Sequence, residues 1–197
     1  MNARTEPFLP ADLESTIARH IADVASLLRG ICARTIAEAI ELIHATRRAE
    51  GTVYAFGNGG SAATAMHLCN DLLATGARYS PALRVQCLAA NISTFSALAN
   101  DTGYENVFAG QLQNLGANDT VIAISASGNS ENCVRAIERA NALGAHSIGL
   151  IGFDGGRLAE RCQLAIHVPR HDYLAVEDVH SVICHALARG LASGGLC

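Results

Sequence analysis

The 197-residue sequence contains no lysine and no tryptophan, so all 14 of its basic residues are arginines. The absence of lysine excludes enzymes that form a Schiff base on a protein lysine, including pyridoxal-phosphate enzymes and lysine aldolases. It also excludes a P-loop nucleotide site, which requires a lysine that reaches the phosphates. The chemistry of this chain must therefore depend on other groups.

Charged residues are scarce as well, at 16% of the chain against about 25% in a typical globular domain. Since 50% of the residues are hydrophobic, we expect part of the apolar surface to be buried between subunits of a homo-oligomer. The net charge of −4 argues against a nucleic-acid partner. No uninterrupted apolar run reaches the roughly 18 residues of a membrane span, so we expect no membrane partner.

The seven cysteines form no CxxC pair, and this argues against a zinc knuckle or a thioredoxin-like site. We expect them to be reduced thiols that serve mostly as small core residues. The N-terminal stretch has no apolar signal core, which predicts a cytoplasmic protein.

Hydrophobic periodicity predicts a single α/β domain over residues 1–197. An amphipathic helix begins near Pro10 and a second runs over 31–49, so a pair of helices covers 11–49. This helical pair packs either against a partner chain or on its own domain. Five short apolar runs then alternate with helical segments, which predicts a parallel sheet in a three-layer sandwich, with flavodoxin-like strand order 2-1-3-4-5. These runs are 52–57, 84–89, 120–125, 146–152 and 164–169.

Two strand-to-helix turns predict phosphate binding. The first, GNGGS, contains Asn58, Gly59 and Ser61, and its glycines allow an anion to approach the free N–H groups of the following helix. The second, SASGNS, runs from Ser125 to Ser130. Ser130 fits an ordinary N-cap, but Ser125, Ser127 and Asn129 add more polar groups than a cap requires. In the expected strand order both turns face the same crevice, which favours a phosphate ester, and the first turn departs from the GxGxxG dinucleotide pattern.

Four motifs in order, GNGGSAATAMH, AND followed by TGY, ISASGNS and GFDGG, resemble sugar isomerase (SIS) domains, and within these the phosphoheptose isomerases. The resemblance covers nearly the whole chain and implies a homotetramer with active sites between subunits. It also implies a phosphorylated sugar as ligand, bound by the positions Asn58, Ser61, Ser125, Ser127 and Ser130. Asp101 of the AND motif joins the candidate substrate-binding residues.

His67 and Asp71 are four residues apart on the helix after the first turn and therefore share a face. Such a pair is often a surface contact, but here the helix begins at the expected phosphate site. The resemblance implies that His67, Asp71, Glu177 and His185 hold zinc, and that Asp71 is the catalytic base and His185 the acid. Glu177 is a rival base, since it stands where the family usually has a neutral glutamine.

The spacing of the proposed zinc ligands raises a geometric problem. Glu177 and His185 are separated by about 12 Å of axis if both lie on one helix, which is too far for one metal ion. Either Glu177 precedes the helix or the ligands come from different subunits. We also expect His180 to be an ordinary interior or surface residue of its helix rather than a ligand, and we interpret GFDGG as a turn.

The sequence therefore favours a metal-assisted aldose–ketose isomerase that acts through an enediol, with sedoheptulose 7-phosphate as substrate. The alternative is a non-catalytic SIS protein, either an adaptor that associates with the replication initiator or a sugar-phosphate sensor. An adaptor has no reason to keep four metal-competent side chains at one site. Zinc content and the activity of His67 and Asp71 variants distinguish the two.

Overall fold

A computed structural model describes residues 12–193 of the chain. Pro10 and residue 11, where the predicted helical pair begins, lie outside the described residues. The described chain has two helices before the first strand, α1 (Leu13–Gly30) and α2 (Ala33–Arg48). The strands are β1 (Thr52–Gly57), β2 (Arg84–Cys87), β3 (Thr120–Ser125), β4 (His146–Ile151) and β5 (Leu164–His167). The remaining helices are α3 (Gly60–Gly76), α4 (Ile92–Thr102), α5 (Glu131–Ala142), α6 (Gly156–Arg161) and α7 (Tyr173–Ser193).

The five strands form one parallel sheet in the order β2-β1-β3-β4-β5, which confirms the predicted topology. Their side chains alternate between two cores. Ile122 and Ile124 of β3 belong to the core under α2, α3 and α7, whereas Val121 and Ala123 face the core under α5. Every residue of β3 is buried, and its sequence is accordingly apolar throughout between the terminal Thr120 and Ser125. The fold is the predicted three-layer α/β sandwich.

The two N-terminal helices have different environments. Helix α2 folds back on its own domain and buries Ala39 and Ile43 completely, as one of the two alternatives predicts. Helix α1 has no fully buried residue; its apolar side chains Ile17 and Ile21 are 52% and 62% exposed. Its second half packs on the core and its His20 pairs with Asp178 of α7 at 2.8 Å.

Two further findings bear on the sequence predictions. All six cysteines within residues 12–193 are free, as expected for reduced thiols. None of the helices in the described part of the chain has the length and apolarity to cross a membrane.

Candidate active site

A cavity of about 330 Å³ lies at the carboxyl ends of β1 and β3. These strands are neighbours from which the chain leaves in opposite directions, the switch point where α/β sheets bind ligands. Both glycine- and serine-rich turns line the cavity, as the sequence predicts. Its wall comprises residues 58–61, 124–127 and 130 together with Tyr173 and Glu177.

The second turn is shaped to receive an anion at the start of α5. Ser130 occupies the N-cap position, yet its side chain makes no capping hydrogen bond, so its hydroxyl stays available to a ligand. The Ser125 and Ser127 hydroxyls accept hydrogen bonds from the amides of Gly128 and Asn129, at 3.2 and 3.3 Å, and these bonds hold the turn in shape. The turn therefore presents hydroxyls and a helix N-terminus to the cavity.

The backbone of this turn depends on glycine. Gly128 has a φ of +64°, and a Cβ at this position would lie 2.0 Å from the Gly155 carbonyl oxygen. Gly155 belongs to the GFDGG segment, which packs behind the turn and does not line the cavity. The segment is a turn, as we interpreted it, and it supports the phosphate loop from behind.

Three of the predicted polar residues do not present a free side chain to the cavity. Asn58 reaches the wall, but its amide exchanges two 2.9 Å hydrogen bonds with Asn132 and accepts a third from Tyr104. Asn129 turns away and accepts a hydrogen bond from the Arg157 amide. Asp101 lies exposed on α4 and accepts a hydrogen bond from its neighbour Asn100, so the described chain does not bring it to the cavity.

Tyr173 is not among the site residues that the sequence predicts, but it lines the cavity from the first turn of α7. Its ring packs edge-on against Phe153, with 4.8 Å between ring centroids. The available signal was its position four residues before Glu177, since residues at that spacing share a helix face.

His67, Asp71 and His185 form a second cluster where α3 and α7 pack together. The Nε2 atoms of the histidines are 3.4 Å apart, and Asp71 Oδ2 lies 3.6 Å from one and 3.7 Å from the other. Ligands on a tetrahedral zinc, with Zn–N of about 2.0–2.1 Å, are separated by about 3.4 Å. The three side chains therefore fit a zinc ion and would leave a fourth position open.

The surroundings of this cluster restrict which groups can be ligands. Cys184, next to His185, is buried, and burial together with the Asp71 charge raises the pKa of its thiol to about 12. Burial lowers the pKa of the fully buried His180 to about 4, so that His180 is a neutral interior residue. The donor atoms that converge in the described residues are those of the two imidazoles and the one carboxylate, and about half of each imidazole is open to solvent.

Glu177 lies elsewhere. It is on α7, which rules out the alternative that it precedes the helix. Its carboxylate rests against Gly60, the first residue of α3, so closely that a Cβ on Gly60 would lie 2.2 Å from Oε2. Because Gly60 faces Glu177 and His67 faces His185, α3 and α7 run parallel, and Glu177 is about 12 Å of helix axis from His185.

Comparison with known proteins agrees with this architecture. The family model "SIS domain" matches residues 19–152. The phosphoheptose isomerase of Rhodospirillum rubrum is 40% identical over 85% of this chain and 89% of its own, and that of Trichlorobacter lovleyi is 32% identical over 92% and 95%. The solved structure of phosphoheptose isomerase GmhA from Neisseria gonorrhoeae covers 92% of this chain and 99% of its own, with a TM-score of 0.84 and 29% identity. On these findings the chain belongs to the SIS domain family.

Proposed function

We propose that the protein is a phosphosugar aldose–ketose isomerase whose substrate is sedoheptulose 7-phosphate. The observation that carries this proposal is the arrangement of two sites along α3. Its N-terminus opens on the hydroxyl-rich cavity, and the cluster of His67, Asp71 and His185 lies further along the same helix. Similarity to curated phosphoheptose isomerases supports the same reaction class.

The separation of the two sites supports a long substrate. From Gly60 to His67, α3 rises about 10 Å at 1.5 Å per residue. An extended heptose 7-phosphate spans about 10 Å from phosphorus to the carbonyl end, at about 1.25 Å of advance per bond for bonds near 1.5 Å. A triose phosphate is about half as long and would not reach from the phosphate turn to the cluster.

In the proposed mechanism the second turn binds the phosphate through the Ser127 and Ser130 hydroxyls and the N-terminus of α5. Asp71 takes the proton from the carbon beside the carbonyl group, which leaves an enediolate, and the hydroxyl proton on that carbon passes to the former carbonyl oxygen. His185 returns a proton at the neighbouring carbon, which completes the exchange of aldose and ketose. Glu177 is the second candidate for the base.

His67, Asp71 and His185 are the residues that would hold zinc, and Glu177 is the fourth predicted ligand. A bound zinc ion would supply a positive charge that stabilises the developing enediolate oxygens. Since Glu177 is about 12 Å along α7 from His185, it would need to act from a neighbouring subunit to join this ion. We therefore include in the proposal a homotetramer whose subunits share their active sites. The proposal also places the protein in the cytoplasm.

The test is isomerisation of sedoheptulose 7-phosphate, followed by NMR, with the wild-type protein and the single variants His67→Ala and Asp71→Ala. We expect turnover by the wild type and a loss of at least a hundredfold in each variant, because general acid–base groups typically contribute that much. Wild-type rates in both variants would refute the site assignment. Tight binding of the phosphosugar without turnover would instead favour the sensor.

A further inference from the structure

Two cysteines that the proposed reaction does not use, Cys69 of α3 and Cys87 of β2, lie next to each other at the edge of the sheet. The end of α3 contacts the chain just before β2, where the Leu83 amide donates to the Gly76 carbonyl oxygen at 3.3 Å. From this contact α3 extends about 10 Å back to Cys69, and the strand rises about 13 Å to Cys87. Both side chains belong to the same core cluster, so they meet at the same level between helix and strand.

The two thiols are in contact but differ in their surroundings. The Cys69 thiol donates a hydrogen bond to the Cys87 sulfur, and this bond, together with the backbone N–H groups of Ala89 and Ala90, lowers the pKa of Cys87. The same contact and burial raise the pKa of Cys69, which is only 5% exposed. Cys87 is half-buried on the edge strand β2. A reagent in solution therefore reaches the Cys87 sulfur first, and the Cys69 thiol lies behind it.

This arrangement is typical of cysteine pairs that react with oxidants. Such pairs combine an accessible thiol of thiolate character with a second thiol that resolves the first oxidation product. The two sulfurs here only have to close the gap between a hydrogen bond and a covalent bond of about 2.05 Å. Cys133 and Cys162 form a contrasting pair, because burial raises the pKa of each of these thiols to about 12.

We propose that Cys69 and Cys87 are a redox-active pair that hydrogen peroxide oxidises to a reversible disulfide. The Cys87 thiolate attacks one peroxide oxygen, the O–O bond breaks, and the hydroxide that leaves takes a proton from water, so that Cys87 becomes a sulfenic acid. The Cys69 sulfur then attacks the Cys87 sulfur, the S–O bond breaks, and the Cys69 proton leaves in the water that forms. The two thiols lose two electrons in total, and the peroxide is reduced to two waters.

The modification site is independent of the proposed function, but its position connects it to the metal cluster. Cys69 lies midway between His67 and Asp71 on α3. The disulfide would therefore tie the helix of the cluster to the edge strand of the sheet.

The test is peptide mapping of the full-length protein by mass spectrometry after treatment with hydrogen peroxide and alkylation of the remaining thiols. Trypsin cuts this lysine-free chain only after arginine and releases 49–78, in which Cys69 is the only cysteine, and 85–135, which contains Cys87 and Cys133. We expect these two peptides to be joined, and to separate again after reduction with dithiothreitol. The joined peptide should be absent from Cys87→Ser and present in Cys133→Ser, the matched control.

The same map gives an internal reference for reactivity. Peptide 162–170 contains Cys162 alone, which is half-buried like Cys87 but has a raised pKa. Cys87 should be oxidised at least about tenfold faster than Cys162, because the thiolate is the reactive form.

Three results would overturn the inference. The first is oxidation of Cys87 to sulfinic acid while Cys69 remains free to be alkylated. The second is a joined peptide that survives in Cys87→Ser or disappears in Cys133→Ser, since Cys133 would then be the partner of Cys69. The third is equal rates of oxidation at Cys87 and Cys162.

Discussion

Because Gly60 contacts Glu177, the substitution Gly60→Ala should change the activity of the protein without a large change in its stability. In Gly60→Ala the new Cβ would lie 2.2 Å from Oε2 of Glu177 and 2.7 Å from Oε1 and Cδ. Since an ordinary carbon–oxygen contact is about 3.4 Å, the carboxylate must retreat by roughly 1.2 Å. The obstacle is the end of a flexible side chain, so the backbone does not have to move.

The substitution should leave the free energy of unfolding nearly unchanged but lower kcat/KM. Alanine is favoured over glycine in helices by up to about 1 kcal/mol, and Gly60 is the first helical residue of α3. We therefore expect the free energy of unfolding to stay within about 1 kcal/mol of the wild type. Displacement of a group in the active site by about 1 Å costs on the order of a hundredfold, so kcat/KM should fall by about that factor.

Urea denaturation and the NMR isomerisation assay measure the two effects on the same preparation. Gly30→Ala is the matched control, because it makes the same chemical change at the end of α1, where a Cβ would meet nothing within 4 Å. It should leave kcat/KM unchanged and the free energy of unfolding within the same roughly 1 kcal/mol of the wild type. Wild-type kcat/KM in Gly60→Ala would show that the position of the Glu177 carboxylate does not matter to the reaction, and this would refute the reasoning.

Three further predictions concern the metal cluster, the phosphate turn and the buried histidine. Asp71→Asn should weaken zinc binding by at least a hundredfold in competition with a chelating dye, and unchanged affinity would mean that the cluster is only a surface ion pair. Gly128→Ala should lower the free energy of unfolding by about 3 kcal/mol in urea, because a positive φ and a clash with Gly155 add together; a loss below 1 kcal/mol would contradict this. The pKa of His180 is lowered to about 4 by burial, so the unfolded chain binds its proton first and stability falls as the pH drops from about 6.5 to 4. His180 should account for a fall of about 3 kcal/mol in the free energy of unfolding over this pH range. His180→Met should remove that fall, and a pH profile of stability identical to that of the wild type would contradict the assignment.

The sequence predicts the fold well because the relevant information is local. Every residue of β3 is buried, and its continuous apolar run therefore predicts a central strand. Helix starts and glycine turns likewise follow from neighbours along the chain. The predicted strand bounds at 84–89 and 164–169 extend two residues beyond the observed β2 and β5, since the edge strands stop pairing earlier than their apolar runs end.

The candidate site is predicted less completely, because side-chain direction depends on packing between distant segments. Asn129 has the right chemistry and position for phosphate, yet it binds the Arg157 amide behind the turn. Tyr173 reaches the cavity because α7 begins beside the phosphate turns, and its i, i+4 spacing from Glu177 indicates only that the two residues share a helix face. His67, Asp71 and His185 come together as expected, whereas Glu177 lies near the other end of the α3–α7 contact.

The measurement that tests the central claim most directly is the isomerisation of sedoheptulose 7-phosphate before and after the protein is stripped with a chelator, and again after zinc is restored. The account predicts turnover that disappears on chelation and returns with about one zinc ion per chain, through His67, Asp71 and His185. Turnover that survives complete removal of metal would contradict the zinc proposal. The absence of both turnover and phosphosugar binding in the zinc-loaded protein would contradict the isomerase itself and favour the adaptor.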